Sequence, residues 1–214
     1  MDKKIMKLYD TGHVDQAIHL LIKEIDNNPK QIDNYLQLST ILIEQNSADQ
    51  ALELLKKAQQ VVIQPEKLSY NIAICYYMLG DFEKSLEIMN KLPNDDETYY
   101  QKALIFMKLG QYQKALAFAL TIKKMDARSL ELIGDIWLSL GDLKNARAYF
   151  DKIPENKRSA KDNFLLGLTI FNQDKDQAQK FFEKAKKQDK NYVAHAEKQY
   201  AAIAKLIRGK DGRN

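Results

Sequence analysis

Small side chains recur along this chain at Ala17, Ala51, Ser85, Ala115, Ala146 and Ala178, at spacings of 34, 34, 30, 31 and 32 residues. Each is followed four residues on by an apolar side chain: Leu21, Leu55, Met89, Ala119, Phe150 and Phe182. Gly12, Gly80, Gly110 and Gly141 lie in the turns ahead of four of them, and Asn46 holds the matching place in the second unit. A period in this range marks a stacked array of one supersecondary unit, whose copies bury their apolar faces against one another. It constrains the fold more than any other feature, and it points to binding rather than chemistry.

Each unit divides into two amphipathic helices. In the third, Lys67–Leu79 is apolar at Leu68, Ile72, Ala73, Tyr76 and Leu79, the spacing of one helical face. Gly80 then supplies a left-handed turn residue, Asp81 can cap the next helix, and Pro93 ends the unit. The pattern predicts helix pairs at about 2–11 and 14–27, 32–45 and 48–61, 66–79 and 82–92, 95–109 and 112–124, 127–140 and 143–153, and 160–172 and 175–188. A last helix over 191–207, with Tyr192, Ala196, Tyr200, Ile203 and Ile207 on one stripe, is expected to cap the array. The reading is all-α. It is a single solenoid over 1–208, with repeats at about 1–30, 31–64, 65–94, 95–125, 126–157 and 158–190, and a disordered tail at 209–214.

Composition narrows the class. The chain has 45% hydrophobic and 29% charged residues with only four Pro and eight Gly, which suits a soluble helical protein. Its longest apolar run, Ile72–Leu79, is far shorter than the roughly 20 residues that span a bilayer. No apolar signal-peptide core follows Lys3, Lys4 and Lys7. Cys75 is the only cysteine and reads as a small buried hydrophobe, which fits a reducing cytoplasm.

Charge is uneven. Residues 1–100 hold 10 basic and 16 acidic side chains; residues 101–214 hold 23 and 13. Such asymmetry steers an acidic partner to the C-terminal half or lets copies associate head to tail, and it is equally that of a solvated lysine-rich surface.

The units resemble tetratricopeptide repeats, helix hairpins that stack into a right-handed superhelix, and the whole resembles an all-repeat protein of bacterial type. The fifth unit, Leu130 to Pro154, carries the likeness in Gly134, Trp137, Gly141, Ala146 and Phe150; the fourth matches through Ala103, Gly110 and Ala115. The likeness covers about residues 1–190. Units three to five are shorter than the usual 34 residues, the sixth lacks the turn glycine, with Asp174 near its place, and Lys102 stands where an apolar residue is expected.

The resemblance implies an inner surface lined by the first helix of each pair, where partners bind as extended peptides or helices. Projected onto this sequence, that groove comprises Leu36, Thr40 and Ile43; Tyr70, Ile74 and Tyr77; Tyr100, Leu104 and Met107; Glu131, Asp135 and Leu138; and Phe164, Leu168 and Phe171. It is apolar and aromatic with one acidic patch at Glu131 and Asp135, and it is either open to a ligand or partly closed by its own side chains. The carboxylate clamp of chaperone-tail receptors is missing, since Leu36 and Thr40 occupy its leading places. The groove asparagines of peptide-pheromone regulators are missing as well.

Catalytic signals are weak. His13, His19 and His195 lack metal spacing, and the glycines are single turn residues rather than a phosphate loop. Glu131 and Asp135 lie one turn apart on one face, without a nucleophile or pocket to make them an acid–base pair. The expectation is a non-enzymatic, cytoplasmic adaptor that needs no cofactor or metal, does not enter a membrane, and binds a protein segment in its groove. The alternative is nucleic-acid association through Lys180, Lys184, Lys186, Lys187, Lys190, Lys205, Arg208, Lys210 and Arg213. Interleaved acids and few aromatics disfavour it.

Overall fold

The computed structural model describes residues 3–199. Within them lie α1 (Lys3–Asp10), α2 (Val14–Asn27), α3 (Ile32–Glu44), α4 (Ala48–Ala58), α5 (Ser69–Met78), α6 (Phe82–Met89), α7 (Asp96–Lys108), α8 (Tyr112–Thr121), α9 (Ala127–Ser139), α10 (Leu143–Phe150), α11 (Ala160–Ile170) and α12 (Lys175–Gln188). A further helix, α13, occupies 190–199. Short 3-10 turns at Pro65–Leu68 and Glu155–Lys157 lead towards α5 and α11. No strand occurs among the described residues. The part of the expected capping helix beyond 199 and the tail at 209–214 lie outside the described residues.

The chain divides into two compact units, 1–110 and 111–214. The first holds the hairpins α1–α2, α3–α4 and α5–α6 together with α7. The second holds α8, the hairpins α9–α10 and α11–α12, and α13.

Four second helices end three residues before the sequence pattern places their ends: at Ala58, Met89, Thr121 and Phe150. The apolar periodicity continues, but the backbone tightens. Val61 N–H donates to Ala58 O at 3.0 Å, Leu92 N–H to Met89 O at 3.3 Å and Ile153 N–H to Phe150 O at 3.1 Å. Bonds of this i→i−3 type close the last turn of a helix without continuing it. Aspartates start the next elements: Asp81, Asp95, Asp126 and Asp142 each accept a backbone N–H three residues on. Asp174, standing near the place of the missing sixth glycine, caps α12 through Gln177 N–H at 2.9 Å.

Asn46 takes the role expected of it. Its φ is +57°, in the left-handed region that the turn glycines also occupy. Asparagine tolerates that region; a β-branched residue does not. Asn46→Val is expected to cost about 1–2 kcal/mol, read as a lower urea midpoint with an unchanged slope.

Small and large residues lock the hairpins. A Cβ built on Gly134 would lie 2.5 Å from the Phe150 ring, and one on Gly167 would lie 2.5 Å from the Phe182 ring. Where the small residue is Ala73, the large one is the narrower Met89, and both are fully buried in one cluster. Ser85 adds a polar lock, its hydroxyl donating to Ala73 O at 2.7 Å. In the C-terminal unit, Phe150, Ile153, Leu165, Leu166, Ile170 and Val193 form a continuous core that includes α13.

Candidate functional site

The predicted groove residues fall on α3, α5, α7, α9 and α11, the first helices of their pairs, except Phe171, which follows the last residue of α11. In the N-terminal unit, Leu36, Ile43, Tyr70, Ile74, Tyr77, Tyr100, Leu104 and Met107 are half-buried and Thr40 is exposed. Helix α5 is apolar around most of its circumference, with Ser69 and Asn71 as the exceptions. Ile72, Ala73 and Cys75 are buried, while Tyr70, Ile74 and Tyr77 remain partly accessible. A helix so widely apolar finds its second contact in the protein or in a ligand.

Much of this face is tied by its own side chains. Asn71 Nδ2 donates to Ser39 Oγ at 2.9 Å and to Thr40 Oγ1 at 3.3 Å, linking α5 to α3. The Tyr70 hydroxyl donates to Glu97 Oε1 at 3.1 Å, linking α5 to α7. Burial raises the Tyr77 phenol above its ordinary range. Its ring packs against Phe82 at 5.7 Å between centroids.

In the C-terminal unit the expected acidic patch is paired with a cation. Lys161 Nζ reaches Glu131 Oε1 at 2.6 Å and Asp135 Oδ2 at 2.5 Å, so one ammonium from α11 spans both carboxylates of α9. Burial pushes the Asp135 carboxyl up to about 6, against the opposing pull of Lys161. Burial also works against the charge on Lys161, but the attraction of Asp135 and the bonds to both carboxylates outweigh it and raise that lysine above its ordinary value. Leu138 and Leu168 are half-buried and Phe171 is 46% exposed. Phe164 is 3% exposed, because the rings of Phe182 and Tyr192 pack on it at 5.3 and 6.1 Å between centroids.

Sequence reasoning missed Asn71, Glu97 and Lys161. A signal was present, since Glu97 and Lys161 each lie three residues ahead of a predicted groove residue, Tyr100 and Phe164. From there each reaches back to the first groove position of the preceding repeat, Tyr70 or Glu131. Also missed was a cleft of about 410 Å³ between α1 and α3, lined by Ile5, Met6, Tyr9, Asp10, Leu36, Gln37, Thr40, Ile41 and Glu44, with Asn71 at its edge.

Burial pushes the Cys75 thiol up to about 11, which favours the neutral thiol at neutral pH. Among the described residues, no group of three or more His, Cys, Asp or Glu is placed to hold a metal ion. None of their helices is long and apolar enough to cross a membrane. On basic α12, Lys184 is engaged by Glu155.

Helix hairpins locked by small–large pairs and closed by left-handed turn residues define an α-solenoid repeat protein, a class that works by presenting side-chain surface. Residues 68–96 and 100–161 match tetratricopeptide-repeat models. Over these residues the chain is made of tetratricopeptide repeats. It is 23% identical over 157 residues to a TPR repeat-containing protein, MJ1428, of Methanocaldococcus jannaschii, covering 70% of this chain and 28% of that protein. Among solved structures, it is similar to a chain of the APC/C hetero-tetramer Cut9–Hcn1, with a TM-score of 0.71 and 16% identity. That match covers 90% of this chain and 40% of the other, so the chain spans well under half the length of either relative. It is also similar to PilF of Pseudomonas aeruginosa, with a TM-score of 0.71, 15% identity and coverage of 93% and 95%. Tetratricopeptide repeats serve generally as protein–protein interaction modules and ordinarily as scaffolds rather than catalysts, and that is the general role this fold supports.

Proposed function

We propose that the chain is a non-enzymatic adaptor that takes a peptide or helical segment of a partner protein in a groove lined by the first helices α3, α5 and α7 of the N-terminal unit. The observation that carries this reading is α5, apolar around most of its circumference, with Tyr70, Ile74 and Tyr77 left partly accessible. The polar ties from Asn71 to Ser39 and from Tyr70 to Glu97 support it, since they hold neighbouring first helices in register and pre-organise the face. The Cut9–Hcn1 hetero-tetramer offers a precedent in this fold for assembly with a second protein. We assign the site of action to the cytoplasm, where an unpaired thiol such as Cys75 persists.

Three apolar anchors contribute roughly 5–9 kcal/mol gross at about 1.5–3 each. Association costs of several kcal/mol offset much of this, so a short segment binds in the micromolar range. Tyr70→Ala with Tyr100→Ala is expected to abolish partner capture from native cytosol while leaving the helical circular-dichroism signal in place. Undiminished capture by a folded double variant would overturn the reading.

A further inference from the structure

The cleft between α1 and α3 differs in chemistry from the rest of the predicted groove. Its walls are Ile5, Leu36 and Ile41, and its rim carries Asp10 and Glu44. The Tyr9 hydroxyl donates to Glu44 and so holds that carboxylate at the rim. None of the described residues lining the cleft is basic. Gln37 Oε1 is buried there without a hydrogen-bond partner. A buried acceptor left unpaired is costly, and a docked N–H donor removes the cost. At about 410 Å³ the cleft lies within the usual span of ligand sites, about 300–1,000 Å³. It is built for apolar side chains flanked by positive charge.

The chain itself carries such a segment. Residues 203–213 place Leu206 and Ile207 among Lys205, Arg208, Lys210 and Arg213, with Asp211 as the sole acid. The wider charge pattern agrees. Residues 1–110 hold 12 basic and 16 acidic side chains, net −4, whereas residues 111–214 hold 21 and 13, net +8. We propose that the cleft takes the C-terminal segment of a second copy, so that copies associate head to tail. Leu206 and Ile207 enter between Ile5, Leu36 and Ile41. The flanking cations meet Asp10 and Glu44, and a backbone or guanidinium N–H donates to Gln37. Because the two surfaces are different patches, the contact is heterologous and extends into open oligomers unless a rotation closes it. Charge complementarity at the rim speeds encounter and makes the association sensitive to salt. The inference rests on the groove reading only through Leu36 and Thr40, which both sites share.

Sedimentation of the full chain across the micromolar range tests this. The average mass is expected to rise with concentration in low salt and to fall back in high salt. Asp10→Lys with Glu44→Lys should weaken association about tenfold or more, as should Lys205→Glu with Arg208→Glu and Lys210→Glu. An equimolar mixture of these two variants should associate again, because each then presents the charge the other lacks. Circular dichroism establishes that both variants are folded. A wild-type chain that stays monomeric, whether its segment is free, folded back on its own cleft or reserved for another protein, overturns the proposal. So does a mixture that fails to recover. A monomeric chain that still captures partners through Tyr70 and Tyr100 leaves the groove reading standing and removes only this one.

Discussion

Phe150→Ala is expected to destabilise the C-terminal unit by about 3–5 kcal/mol, the usual cost of deleting a fully buried aromatic ring. The ring is 0% exposed and sits in the core with Ala146, Ile153 and Leu165. A loss of that size is a large share of the roughly 5–15 kcal/mol that holds a typical domain together. The more telling measurement couples it to Gly134. In the wild-type background Gly134→Ala forces a methyl to within 2.5 Å of the Phe150 ring and should cost about 1–3 kcal/mol by overpacking. In the Phe150→Ala background the same methyl enters vacated space, so the substitution should be neutral or mildly stabilising. The double-mutant cycle in urea is therefore expected to show a coupling of about 1–3 kcal/mol. Additive effects would mean that the two residues do not meet as described.

Lys161→Met should cost about 1–3 kcal/mol at slightly alkaline pH. Breaking a buried ion pair typically costs more, but here the three side chains are one fifth to one third exposed, and solvent screens what remains. The dependence on pH is the distinguishing sign. Asp135 titrates at about 6 in the folded chain, above the roughly 3.9 of an unfolded one. The folded state thus holds a proton that the unfolded state releases between those values, and this group's contribution to stability falls as pH rises through that window. Removing the ammonium takes away the attraction that opposes the upward shift, so the window widens towards higher pH. The deficit of the variant should be smallest near pH 4 and grow to beyond pH 7. A deficit independent of pH would assign Lys161 a packing role only.

Much of the fold was legible because packing repeats. The turn positions, including Asn46 in place of glycine, and the small–large succession of Ala146 and Phe150 follow from a spacing that recurs around each hairpin. The second-helix ends were less legible. The apolar pattern runs on through Val61 and Ile153, and only the backbone bonds show that these residues sit in tight turns. The candidate face was legible as a set of apolar positions and illegible as chemistry. Glu131 and Asp135 read as an acidic patch, and their partner Lys161, a full repeat away in sequence, went unnoticed. Phe164 read as a groove wall, and it is the packing of Phe182 and Tyr192 that buries its ring.

From the sequence alone, then, come the helix-hairpin unit, its repetition, and the first helices on which the candidate positions lie. These depend on interactions within about one repeat, which spacing encodes directly. Tertiary structure decided which side chains on those helices are engaged by neighbours. Asn71 is spent on Ser39 and Thr40, Tyr70 on Glu97, and Lys161 on two carboxylates. It also decided that the cleft beside Asp10 and Glu44 exists. Contacts between repeats depend on the angle at which helices stack, and no periodicity in the chain records that angle.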